Sequence, residues 1–215
     1  MNYIWQYNEP ERNSQEIANS LAKELDIDPA LGKLLLDRGI KTSGEARAFF
    51  RPQLTTLLDP FLFRDMATAV KRMNEALGRK ERILIYGDYD VDGVTASTAM
   101  EDTLKLAGVP QENIDIMLPD RFADGYGMSP RLIKRAQKNK STLVITVDCG
   151  SRNHAIIDEL NTFQIDTIVT DHHECGDDLP AAVAVVNPKR PDYINDTVGL
   201  KDLAGVGVAF KLAEA

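Results

Sequence analysis

Sulfur ligands are scarce in this sequence: 215 residues include two cysteines, Cys149 and Cys175, and no Cys-x-x-Cys pair. Two cysteines build no disulfide framework, and a zinc site from Cys149, Cys175, His172 and His173 is not expected without paired cysteines. Long apolar runs are missing too, and nothing approaches the ~20 residues that cross a bilayer. The opening "MNYIWQYNEPERN" lacks the basic-then-apolar order of a secretory leader. Basic residues are in deficit, 25 against 33 acidic, for a net charge of −8. That balance speaks against a broad phosphate-binding surface, which carries a basic footprint. The objection weakens if several carboxylates hold cations, because bound ions reverse the local field. Internal repeats and low-complexity segments are absent. A cytoplasmic chain with no membrane association is expected.

What is present falls into two textures. Residues 14–50 are helical in pattern: "SQEIANSLAKEL" sets Ile17, Leu21 and Leu25 four apart, with Ser14 as N-cap. "DPALGKLLLDRG" is a second helix stopped by Gly39, and "TSGEARAFF" a third that ends before Pro52. "DMATAVKRMNEALGRK" is a fourth, with Met66, Ala69, Val70, Met73 and Leu77 on one face and Gly78 as its stop. Beyond Gly78 come five β-rich runs, at 82–86, 113–119, 142–147, 166–170 and 182–186. Helical segments at 94–107, 129–139 and 153–163 separate most of them. Strands alternating with helices predict an α/β fold with a parallel sheet of about five strands, and their unbroken apolar character predicts burial on both faces. Residues 1–58 read as a helical N-terminal extension and 59–215 as the α/β domain.

The polar residues then fall in one place. "YGDYDVDGVTA" (86–96) puts Asp88, Asp90 and Asp92 at alternate positions directly after the apolar "RILIY". Carboxylates held close raise one another's pKa, and a bound cation compensates them. The strand at 142–147 runs into Asp148, that at 166–170 into Asp171, His172 and His173, and the last into Asn187, Pro188 and Lys189. Ligands of open α/β sheets bind outside the carboxyl ends of the strands. Carboxylates with a few imidazoles suit Mn²⁺ or Mg²⁺, and a carboxylate between others can bridge two ions about 3.5–4 Å apart. Asp88 and Asp90 are expected to face the ions. Asp92 either sits behind the ligands or holds the turn; alternatively, Asp88 or Asp92 caps a helix starting at Val94. His154, at a helix start, reads as a capping or surface residue.

Seven ordered segments carry a resemblance: "DPFLFRDM" (59–66), "ILIYGDYDVDGVTA" (83–96), "PDRFADGYGM" (119–128), "VITVDCG" (144–150), "IVTDHHE" (168–174), "VVNPKRPD" (185–192) and "LAGVGVAFKL" (203–212). Together the set resembles the DHH phosphoesterase superfamily, and within it the single-stranded-DNA-specific exonucleases of DNA repair and recombination. The resemblance implies metal ligands at Asp88, Asp90 and His172, a bridging ligand at Asp148, and His173 near the scissile phosphate. The implied reaction is hydrolysis of single-stranded DNA from the 5′ end by water activated between Mn²⁺ or Mg²⁺ ions. Arg121 would hold a phosphate oxygen, or else make a surface salt bridge. Gly205 and Gly207 would let backbone approach a phosphate, or else only permit tight packing.

Two departures qualify it. Small-substrate members carry a ligand histidine four residues before the first aspartate, where this chain has Leu84. The family's last ligand aspartate falls beyond Ala215, as do a second catalytic domain and an oligonucleotide-binding domain. The expectation is an N-terminal fragment, monomeric, that folds, holds one ion well and a second weakly, and has little exonuclease activity. A small-substrate phosphoesterase acting on oligonucleotides or pyrophosphate, and a non-catalytic DNA-binding scaffold, are the alternatives.

Overall fold

The computed structural model describes Ile4 and residues 13–125, 127–192 and 199–215. The chain divides into two compact units, Met1–Leu57 and Leu58–Ala215. In the first, α1 (Ser14–Leu25), α2 (Pro29–Asp37) and α3 (Ser43–Phe50) bury Ala18, Leu21, Leu35 and Ala46. Asp28 caps α2 by accepting from the Ala30 N–H, and Thr42 with Glu45 forms a reciprocal capping box on α3. Ser14 is the first helical residue of α1 and not its cap. Asn13 holds the cap position without a side-chain hydrogen bond.

The second unit opens with α4 (Met66–Arg79) and continues as β1 (Ile83–Gly87), α5 (Val91–Leu106), β2 (Ile114–Met117), α6 (Arg131–Asn139), β3 (Leu143–Val147), α7 (His154–Thr162), β4 (Asp166–Thr170), β5 (Ala184–Val186) and α8 (Gly205–Glu214). Among the described residues the four strand pairings are all parallel, in the order β2-β1-β3-β4-β5. Helices α4, α5 and α8 pack on one face against Ile83, Ile85, Ile145 and Ile168, and α6 and α7 on the other against Leu84, Tyr86, Val144 and Val169. Alternate residues of the central strands therefore enter two separate cores, which is why β1 and β3 are almost wholly apolar, while the edge strand β2 carries the half-buried Asp115.

Element ends differ from the sequence expectation. Gly78 lies inside α4; the helix stops at Lys80, which turns left-handed at φ 56° and ties its N–H back to Ala76 and Leu77. Burial of Ala76 keeps the last turn on the sheet, outweighing the ~1 kcal/mol that a helical glycine costs. Helix α5 starts at Val91, ahead of Val94, because the Asp90 carboxylate, not Asp88 or Asp92, caps it through the N–H groups of Asp92 and Gly93. Strands β2 and β5 are shorter than their apolar runs.

Candidate metal centre

Strand order decides where the site can form. The chain steps from β1 outward to β2 and then back across to β3, so the topology reverses between β1 and β3. A crevice opens at the carboxyl ends of two strands that diverge in this way. Register then lines up the side chains. Gly87 pairs with Val147, Val147 with Thr170, and Thr170 with Val186. One residue further along each strand stand Asp88, Asp148, Asp171 and Asn187, all at most 3% exposed.

The row brings five predicted residues together. Ligand atoms of Asp88, Asp90 and Asp148 all lie within 4.8 Å of one another, and so do those of Asp148, His172 and His173. Asp148 is the member common to both groups. Its backbone is left-handed at φ 62°, a conformation that aspartate tolerates better than most residues but at some cost. Its Oδ1 is buried and makes no hydrogen bond among the described residues. His172 Nε2 stands 3.1 Å from that oxygen, close enough to share an ion with it, or to pair with it when the ring is protonated. Burial, reinforced by the nearby Asp92 charge, pushes the Asp148 carboxyl up to about 8. Burial also raises Asp88. A buried oxygen without a hydrogen bond, among carboxylates and an imidazole, fits a hard divalent cation.

Supporting contacts hold this geometry. Asp171 accepts hydrogen bonds from the backbone N–H groups of Ser151, His172 and His173 at 3.0, 2.7 and 3.1 Å. Burial opposes its charge, but these bonds and the His173 ring hold it below the usual carboxylate range. His173 Nδ1 lies 2.8 Å from Asp171 Oδ1. That hydrogen bond is the largest cause of a raised His173 pKa. An ionised Asp171 can only accept, so Nδ1 carries the proton and the imidazole is fixed in orientation. Asn187 donates to Ser151 Oγ at 2.7 Å and to the His173 carbonyl at 2.9 Å, tying the last strand to the histidine turn.

Other predicted residues land differently. Arg121 is exposed, with its guanidinium 5.4 Å from the ring centroid of Tyr89, the residue between Asp88 and Asp90. The loop quoted around it includes Tyr126, which lies outside the described residues. The Gly205 N–H is not open to a phosphate: it donates to Asp92 Oδ2 at 2.7 Å. A Cβ there would fall 2.6 Å from Asp148 Cγ, so glycine at 205 serves close packing on Asp148. At Gly207 a Cβ would meet the Leu203 side chain at 3.2 Å, again a packing position. Leu84 is fully buried in the core. His154 begins α7, with Nδ1 3.9 Å from Asp178 and away from the cluster. Sequence reasoning assigned no role to Asp171, Ser151 or Asn187. Asp171 and Asn187 did carry a signal, the position just past a strand, but the contacts that give them and Ser151 a supporting part join separate segments and emerge only in the fold.

A pH dependence follows from Asp148. Between the ordinary carboxylate value of 3.8 and about 8, the metal-free fold keeps a proton that the unfolded chain has lost. Metal-free stability should therefore fall as pH rises through that interval, while Mn²⁺ affinity climbs because the ion displaces fewer protons. Calorimetry at pH 6 and 8 in buffers of different ionisation enthalpy would check this. Proton release that does not diminish toward pH 8 would contradict it.

Residues 82–215 match the family described as "DHH family, N-terminal domain". The single-stranded-DNA-specific exonuclease RecJ of Bacillus subtilis (strain 168) is 39% identical over 207 residues, 96% of this chain and 26% of the relative. The RecJ of Escherichia coli (strain K12) is 35% identical over 92% of this chain and 33% of its own length. The chain thus spans about a quarter to a third of these relatives. A crystal structure of exonuclease RecJ bound to manganese superposes with a TM-score of 0.63 at 32% identity, covering 73% of this chain and 38% of that one.

Proposed function

The chain belongs to the DHH family, and on that premise we propose that its sheet edge is a two-ion centre for Mn²⁺ or Mg²⁺ that hydrolyses phosphodiester bonds of single-stranded DNA from the 5′ end. The observation that carries the proposal is Asp148, a buried carboxylate whose Oδ1 accepts no hydrogen bond among the described residues and which is shared by two groups of ligand atoms. Asp88, Asp90, Asp148 and His172 would hold the ions, with Asp148 between them. The ions, when bound, would supply positive charge against the phosphate oxygens and make water more acidic. His173, oriented by Asp171 and favoured in its charged form, would present its outer nitrogen to a phosphate oxygen and hold a proton there. Arg121, over the Tyr89 ring, is placed to add a second cation for the substrate backbone. In this reading residues 59–215 form the DHH domain and 1–58 a helical extension. The chain acts as a cytoplasmic monomer in DNA repair and recombination.

Leu84 supports the nucleic-acid reading over a small-substrate one. The position where small-substrate members carry a histidine is here a fully buried leucine. The intact carboxylate and imidazole set weighs against a non-catalytic scaffold. The test is a ranking of substrates in Mn²⁺: 5′-phosphorylated single strands, duplex DNA and pyrophosphate. Nucleotide release is expected to be fastest from the single strands. Faster turnover of pyrophosphate would replace this proposal with the small-substrate reading.

A further inference from the structure

We infer that Asp92 is a positioning residue that couples the seating of α8 to the metal centre; the inference rests on the metal-centre reading above. Asp92 stands in the first turn of α5, two residues past Asp90, yet its partners are 113 and 114 residues away in sequence. The Gly205 N–H donates to Oδ2 and the Val206 N–H to Oδ1, each at 2.7 Å. These N–H groups open α8 and have no partner within the helix. The residue in the cap position, Ala204, has no side chain that could accept them. Asp92 is thus an N-cap delivered from another helix, with its charge at the positive end of the α8 dipole.

The same carboxylate reaches the site. Oδ2 lies 3.6 Å from His172 Nε2. The backbone that Asp92 grips at Gly205 is the surface packed against Asp148, so close that a Cβ would stand 2.6 Å from Asp148 Cβ. One turn of α5 therefore supplies Asp90 to the ion cluster and Asp92 to the helix that walls it. Asp92 differs from the ligands in that both of its oxygens already accept short N–H hydrogen bonds, whereas Asp148 Oδ1 accepts none. Coupling of this kind is reciprocal: seating α8 tightens the ion site, and the ion holds α8 in place.

The experiment pairs Mn²⁺ calorimetry with amide hydrogen exchange on the 215-residue chain and on Asp92→Ala, Asp92→Asn and Gly205→Ala. In the parent, Mn²⁺ should slow exchange at Gly205 and Val206 beyond its effect on the sheet. In Asp92→Ala these amides should exchange faster without metal and gain no added protection with it. Mn²⁺ affinity should fall about 10- to 100-fold, the range seen when an outer partner of a metal ligand is removed. Asp92→Asn keeps the shape, offers one oxygen to two N–H groups, and should fall between; it carries the test if the alanine variant does not fold. Gly205→Ala leaves Asp92 intact and should weaken Mn²⁺ through displacement of Asp148. A folded Asp92 variant with parental Mn²⁺ affinity overturns the coupling. Loss as complete as at Asp148 also overturns it, because Asp92 would then be a ligand. A parent that takes up no Mn²⁺ defeats the metal-centre reading as well, and the parent titration alone tells that failure from the other two.

Discussion

Asp148→Asn is expected to abolish Mn²⁺ binding and, in the absence of metal, to raise the thermal midpoint at pH 8. Asparagine keeps the shape of the side chain and is among the residues most tolerant of the left-handed backbone that Asp148 adopts at φ 62°. It removes a charge that is 1% exposed, lacks a hydrogen bond at Oδ1, and faces Asp88, Asp90, Asp92 and Asp171. Its amide can donate to those carboxylates, so the metal-free fold should gain about 1–3 kcal/mol. For a chain of this size that is several degrees, at about 2–4 °C per kcal/mol. Metal affinity should move the other way. Both groups of candidate ligands lose their common charged member, so the loss should exceed the about 10–100-fold cost of losing an outer partner. Thermal melts with and without Mn²⁺ read both effects. The parent should be stabilised by about 2.7 kcal/mol at a hundredfold excess over Kd, and the variant should not shift. A variant that still responds to Mn²⁺, or that melts lower than the parent without it, would show that Asp148 is a structural carboxylate.

His173→Ala should separate binding from chemistry. The His173 ring is held by Asp171 at 2.8 Å, while His172 is the imidazole lying 3.1 Å from Asp148 Oδ1. Removing the His173 ring leaves Asp88, Asp90, Asp148 and His172 in place, so Mn²⁺ affinity should change by less than about 3-fold, well short of the loss of an outer partner. In a chain that also carries the downstream catalytic domain, hydrolysis of 5′-phosphorylated single strands should fall by about 10²–10⁴-fold, the usual scale for loss of a positioned proton donor or acceptor. Asp171→Asn should produce a smaller loss of the same kind, because the amide oxygen can still accept from Nδ1–H but no longer carries the charge that favours the protonated ring. Disappearance of Mn²⁺ binding in His173→Ala would instead make His173 a ligand and leave the phosphate contact to another group.

The alternation of apolar runs with amphipathic segments was enough, without coordinates, to specify a parallel sheet flanked by helices and to place its strands within a few residues. Strands buried on both faces must be apolar along their whole length, and helices must show a one-sided stripe, so local composition carries that information. The polar residues after each strand were equally legible. They follow directly in sequence, and parallel strands all point their carboxyl ends the same way. Strand order, register and the stop of α4 were not legible, whereas Gly39 and Pro52 did mark the ends of α2 and α3. That β1 lies beside β3, so that Asp88 and Asp148 meet, is a matter of long-range pairing between segments of similar composition. The stop at Lys80 depends on one residue taking a left-handed backbone that its side chain does not announce. The capping of α8 by Asp92 joins groups more than a hundred residues apart, which no local pattern encodes. Residue types thus determined which chemistry is available at the sheet edge. Only the tertiary structure decided which carboxylate lies buried at its centre, because burial and hydrogen-bond satisfaction depend on what the remainder of the chain packs against it.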